Sequence, residues 1–112
     1  MHEFTVAGNI IDIVTAEAGK AGSKAVQEVN LEIGLLAGIE YDSLNFALEA
    51  LAPGTVMDSA SVTVEKPRGE GKCNDCGYEF PFDSFMGSCG SCGSTDLQII
   101  RGNELRVKSI TI

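Results

Sequence analysis

The chain has 112 residues, 44% of them hydrophobic, which suits one compact domain with a modest core and is too apolar for a disordered chain. Its 16 Asp and Glu against 8 Lys and Arg give a formal charge of −8, so it repels phosphate backbones and nucleic-acid binding is not expected. No apolar run is long enough to cross a bilayer, and the first residues lack the basic flank and apolar stretch of a secretory leader. We therefore read the protein as cytoplasmic and without a membrane partner, with its cysteines reduced and ligating metal rather than paired.

From Phe4 to about Gly19 the spacing predicts a helix, with Val6, Ile10, Ile13, Val14 and Glu17 on one mostly apolar stripe and Gly19 and Gly22 ending it. KAVQEVNLEIG alternates. Val29, Leu31 and Ile33 face one way and Glu28, Asn30 and Glu32 the other, as in a half-buried strand. EYDSLNFALEALAPG predicts a second helix capped by Asp42 or Ser43, with Leu44, Ala47, Leu48 and Leu51 on its apolar face and Pro53-Gly54 at its end. ASVTVEK alternates through Ala60, Val62 and Val64 as a second strand, and Pro67, Gly69 and Gly71 mark a boundary.

Residues 72–95 hold all four cysteines and little periodicity. LQII, a Gly102-Asn103 turn and ELRVKSITI follow. Leu105 and Val107 share parity there, but Ile110 and Ile112 switch it, as a bulge or a strand buried on both faces would require. Two amphipathic helices need a common surface for their stripes. The expected fold is α+β: a small three-stranded sheet with both helices on one face, plus an inserted zinc-ribbon module. The expected division is 1–66 with 103–112 as one domain and 67–102 as the four-cysteine module.

In CNDCGYEFPFDSFMGSCGSCG, Cys73 and Cys76 stand two residues apart, as do Cys89 and Cys92, and Gly77 and Gly93 follow the pairs. Two intervening residues let both thiolates reach one ion from a tight turn. The glycine lets the backbone curl so that its N–H groups approach the sulfurs. Two such turns face to face complete a tetrahedral site of four sulfurs with no open position, as in a structural zinc site. Similar paired turns also hold a single iron in rubredoxin-like electron-transfer proteins, and that alternative stays open, as does a zinc-ribbon adaptor that only joins two proteins. From Pro67 to Gly102, Arg68, Lys72 and Arg101 face Glu70, Glu79, Asp75, Asp83 and Asp96, so no basic patch exists. Tyr78, Phe80, Phe82 and Phe85 make the module's small core or a patch for a protein partner, with Phe82 and Phe85 the candidate contacts of a docking arm. With one histidine and no nucleophile–base pair, the chain is not expected to be an enzyme.

That one histidine stands in MHEF. A residue as large as His2 protects the initiator methionine, so Met1 should keep a free amine. The amine, the His2 backbone nitrogen and His2 Nδ1 lie within chelating distance of one another, and the Glu3 backbone nitrogen can complete a nitrogen square. Such a square suits Ni(II) or Cu(II) and suits zinc poorly. The Glu3 carboxylate is a further donor. On the residues alone, a single histidine near a terminus is usually just a solvated one.

The opening MHEF-x-VA-x-x-I-x-x-IV is similar to that of the HypA/HybF family of nickel metallochaperones. So are NLEIGLLAGIEYDSLNFALEAL, the paired CxxC turns and the closing GNELRVKSITI, and the resemblance runs over nearly the whole chain in order. It implies nickel as transient cargo at Met1, His2 and Glu3, with Glu40 a further acidic donor. It implies a structural zinc at Cys73, Cys76, Cys89 and Cys92. It also implies a HypB-type nickel GTPase and the large subunit of a [NiFe]-hydrogenase as partners. Thr5 stands where the family usually has Ser, Ala47 follows Phe46 in a usually more aromatic helix, and the cysteine module has no histidine.

Overall fold

The computed structural model describes residues 2–82 and 87–112. In chain order the elements are α1 (Glu3–Lys20), β1 (Glu28–Ile33), α2 (Tyr41–Leu51), β2 (Ser61–Glu65), β3 (Glu70–Cys73), β4 (Glu79–Pro81), β5 (Leu97–Arg101) and β6 (Leu105–Thr111). They form two three-stranded sheets, ordered β2-β1-β6 and β4-β3-β5, in a molecule 54 × 26 × 17 Å across.

The first sheet matches the alternation of its sequence. Val29, Leu31 and Ile33 are fully buried, and Val62 and Val64 of β2 are packed beside them. β1 and β2 run parallel, a pairing that needs a crossover, and α2 supplies it. β6 pairs antiparallel with β1, with Asn30 opposite Ser109 and Leu31 opposite Val107, so Lys108 is an extra residue. This bulge is why the apolar parity of β6 switches: Val107 and Ile110, three apart, both pack against the core. Both helices bury their apolar sides in that same core. On the strands' other side, Arg106 pairs with Glu32 at 2.8 Å and Lys108 with Glu65 at 2.7 Å. Leu31 has no exposed surface, so Leu31→Ala is expected to lower stability by about 2–5 kcal/mol in urea unfolding.

The core face of α1 differs from the expected stripe. Val6, Ala7, Ile10, Ile11, Val14 and Ala18 are buried, whereas Ile13 is 48% exposed and Glu17 lies in solvent. The face is rotated towards the alanines because α1 packs on α2 as well as on the sheet. Fully buried small residues on both helices, Ala7, Ala18 and Ala47, allow that close approach. Gly19 belongs to α1, and Gly22, at φ +70°, turns the chain after it. On α2, Leu44, Ala47 and Leu48 are buried but Leu51 is not. Its cap is Glu40, not Asp42 or Ser43. The Glu40 carboxylate accepts from Asp42 N at 3.2 Å and from Ser43 N at 2.7 Å, so the helix starts earlier than the usual capping residues suggest.

The second sheet went unread in the sequence, where only LQII stood out. Its strands β3 and β4 are EGKC and EFP, too short and too polar for a period of two to show. Gly102 and Asn103 do not close a hairpin. β5 and β6 lie in different sheets, and Gly102, at φ +101°, carries the chain between them. The sheets meet there on backbone: Leu36 N–H donates to Gly102 O at 2.6 Å, Gly34 N–H to Glu104 O at 2.8 Å and Leu35 N–H to Pro67 O at 3.0 Å. A Cβ on Gly34 would lie 1.9 Å from Gly102 O, and one on Gly102 would lie 2.5 Å from the Cα of Gly69. The hydroxyl of Tyr41, at the start of α2, donates to Ile33 O at 3.1 Å and to Gly34 O at 3.2 Å, tying α2 to this joint.

Candidate metal centre

Cys73 ends β3 and is fully buried. Cys89 is also buried, while Cys76 and Cys92 lie at the surface. The two CxxCG turns repeat one local pattern. Gly77 N–H donates to Cys73 O and Gly93 N–H to Cys89 O, both at 2.9 Å. Cys73 N–H donates to Tyr78 O at 2.9 Å and Cys89 N–H to Ser94 O at 2.7 Å. Both glycines adopt left-handed backbone, φ +77° and +76°, which a residue with a Cβ adopts only at a cost. The turns are locked face to face by Asn74, whose Nδ2 donates to Asp96 Oδ1 at 2.9 Å, and by Ser94, whose hydroxyl donates to Asp75.

The four Sγ atoms all lie within 4.8 Å of one another, with Cys73 to Cys92 at 3.6 Å and Cys76 to Cys89 at 3.7 Å. Those distances are far beyond a disulfide bond. Four sulfurs about 2.3 Å from one tetrahedral ion stand about 3.8 Å apart, so the donors present fit a four-thiolate metal site. Their electrostatics agree. The Cys92 N–H, then that of Ser91 at 3.3 Å, draw Cys89 down to about 7. The Cys76 N–H likewise lowers Cys73. The Ser94 N–H pulls on Cys92 too, but the crowding of the other three sulfurs, Cys73 foremost, with the desolvation of its sulfur, outweighs it and pushes the thiol up to about 12. Four thiols this close cannot all ionise without a cation among them.

Around the module, Phe80 is buried with Cys73 and Cys89, and Phe82 and Leu97 pack against them. Phe82 thus lies half-buried on the module's own core, and Tyr78 is more open. Phe85 lies outside the described residues.

The other predicted donors stand at the opening of α1. His2 is its N-cap residue, exposed and in extended backbone, with no side-chain capping bond. Glu3 begins the helix half-buried, and its Oε2 accepts a long hydrogen bond from Glu40 N at 3.4 Å. The starts of α1 and α2 are thereby brought side by side, and a cleft of about 550 Å³ opens there, lined by His2, Glu3, Phe4, Asp42, Ser43 and Phe46. Glu40 lies next to this cleft rather than in its lining, and its carboxylate is engaged on its own helix. Hydrogen bonding from the Ser43 hydroxyl, then from the Ser43 and Asp42 N–H groups, holds it below the ordinary carboxylate range. Asp42 takes the lining position instead. Sequence reasoning treated it only as a cap, because the start of α2 fixes which carboxylate turns inward. Two helix N-termini, each about +0.5 charge, partly offset the carboxylates Glu3, Glu40 and Asp42. Met1 lies outside the described residues. Among the described residues no helix is long and apolar enough to cross a membrane.

The family described as "Hydrogenase/urease nickel incorporation, metallochaperone, hypA" matches residues 1–112. Proteins called hydrogenase maturation factor HypA in Chlorobaculum tepidum and Parabacteroides distasonis are 39% and 40% identical over 112 residues, covering 100% of this chain and 99% and 97% of theirs. The solution structure of the nickel metallochaperone HypA from Helicobacter pylori matches with a TM-score of 0.76 at 25% identity, over 100% of this chain and 97% of that one. The chain belongs to the HypA family of nickel-incorporation metallochaperones, which are maturation factors and not enzymes.

Proposed function

We propose that the protein binds Ni(II) at its N-terminus, through the Met1 amine, the backbone nitrogens of His2 and Glu3 and His2 Nδ1, and delivers it for [NiFe]-hydrogenase maturation. The observation that carries this reading is that His2 stands free at the mouth of an open cleft beside Glu3 and Asp42, well furnished for a cation and uncommitted to the fold. The Glu3 carboxylate neutralises the site, and Asp42 replaces Glu40 as the second carboxylate within reach. A planar nitrogen square favours nickel over zinc. Copper would bind more tightly still, so its exclusion falls to availability and to the partners. Protons compete for the amine, the amides and the imidazole, so affinity falls as pH falls, which helps release.

The same reading gives Cys73, Cys76, Cys89 and Cys92 a structural zinc. Residues 67–102 then act as a zinc module inserted between 1–66 and 103–112. A HypB-type GTPase and the hydrogenase large subunit are its proposed partners, in the cytoplasm.

Metal analysis of the untagged protein after nickel exposure is expected to give one zinc and one nickel per chain. His2→Ala, or a peptide fused ahead of Met1, removes the nickel and leaves the zinc. A tagged protein that takes up nickel with unchanged affinity in isothermal titration refutes the N-terminal chelate. A colourless protein supports zinc, whereas a red one would put iron in the four-sulfur site.

A further inference from the structure

Phe4 and Phe46 are the part of the N-terminal cleft that lies outside the buried core and carries no metal donor. Their rings meet edge to face, with centroids 6.2 Å apart and planes at 77°. Yet Phe4 is 51% exposed and Phe46 65%, and neither belongs to the buried core. Large apolar rings left in water forgo roughly 25 cal/mol for each Å² they could bury. The cleft they wall, about 550 Å³, is far larger than an ion requires and has the size of a site for a short segment of another molecule.

Charge narrows the choice of occupant. Glu3 and Asp42 line the cleft, Glu40 is beside it, and among the described residues His2 is the only basic side chain in the lining. Asp42 makes no ion pair among the described residues. A second copy of this chain, itself at −8, is a poor match for an acidic cleft, and so is a phosphate backbone. We propose that the cleft is the docking site for a basic segment of the protein that receives the nickel, with an apolar side chain seated on the Phe4–Phe46 pair and a Lys or Arg against Asp42. This rests on the delivery reading above. Seating such a segment brings the receiver's own ligands to His2, so that the ion passes between chelates without entering bulk water.

The test uses the full-length, zinc-loaded protein with the purified GTPase and, separately, the purified hydrogenase large subunit, in nickel-free and nickel-loaded states. Phe46→Ala and Phe4→Ala are expected to weaken association with one of these receivers at least tenfold and to slow nickel transfer to it in proportion. Losing the ring pair lowers the melting temperature by a few degrees at most, while zinc content stays at the wild-type value, and so does nickel affinity for Phe46→Ala. Association of the wild type should weaken as salt rises, because the cleft's field is screened. Tight binding and transfer by both variants, or association indifferent to salt, overturns the proposal. Dimerisation of the wild type in sedimentation that Phe46→Ala abolishes overturns it too, by making the occupant a second copy. Failure of the wild type to bind nickel would sink the delivery reading alone, since docking is also read in the nickel-free state.

Discussion

Stripping the metal from the four-cysteine centre, or replacing one of its ligands in Cys73→Ser, is expected to unfold residues 70–101 while the β2-β1-β6 sheet and both helices stay folded. The reason is the poverty of that module's own core. Among the described residues its buried hydrophobic side chains are Cys73, Phe80 and Cys89, with Phe82 and Leu97 packed against them, and two of the three belong to the four-cysteine centre itself. A segment of this length buries too little apolar surface to offset its backbone entropy. A structural zinc contributes on the order of 10–16 kcal/mol in comparable small sites, several times what three short strands can supply. Without the ion the four sulfurs are crowded thiols competing for N–H groups that suit thiolates, so removal costs more than one bond. Hydrogen exchange reads this directly. Protection of the β3–β5 amides should fall by at least 1,000-fold in chelator, while the amides of α1 and β1 change little. Equal protection of β3–β5 with and without the metal would show that the sheet stands alone.

Replacing one glycine by alanine should have opposite effects at two places. At Gly34 the new Cβ meets backbone, Gly102 O at 1.9 Å, Gly102 C at 2.1 Å and Asn103 N at 2.7 Å, and no side chain can move aside to make room. The strands at the joint must separate, which stretches the Leu36–Gly102 and Gly34–Glu104 hydrogen bonds. Overpacking of side chains costs about 1–3 kcal/mol. Backbone against backbone belongs at or above the upper end, a fall of roughly 10 °C or more in melting temperature. At Gly8, inside α1, a Cβ meets nothing within 4 Å, and alanine in place of glycine favours a helix by about 0.5–1 kcal/mol. Thermal unfolding of the two variants side by side is the measurement. A Gly34→Ala protein that melts with the wild type would mean the two sheets are free to shift at their junction.

The four-sulfur centre was legible in the chain, because two residues between cysteines and a following glycine are local requirements of the turn. So were both helices, the strands β1 and β2, and the parity break in β6, since each leaves a period of 3.6 or 2, or a break in it, within a few residues; that the break is a bulge and not a strand buried on both faces came from the pairing with β1. What the periodicity could not supply was the partner surface. The face that α1 buries depends on α2 lying against it, which moves Ile13 out and Ala7 and Ala18 in. The sheet β4-β3-β5 is made by pairing rather than by pattern, and its short polar strands carry no signal of their own. Gly34, Gly69 and Gly102 are far apart in sequence, and only the tertiary fold stacks them into a joint. At the N-terminal cleft the sequence named His2, Glu3 and Glu40 and treated Asp42 only as a cap, so which of the last two lines the cleft was not legible. That choice is made where α2 begins, because the residue that caps a helix spends its carboxylate on backbone N–H groups and the one two positions later faces the cleft.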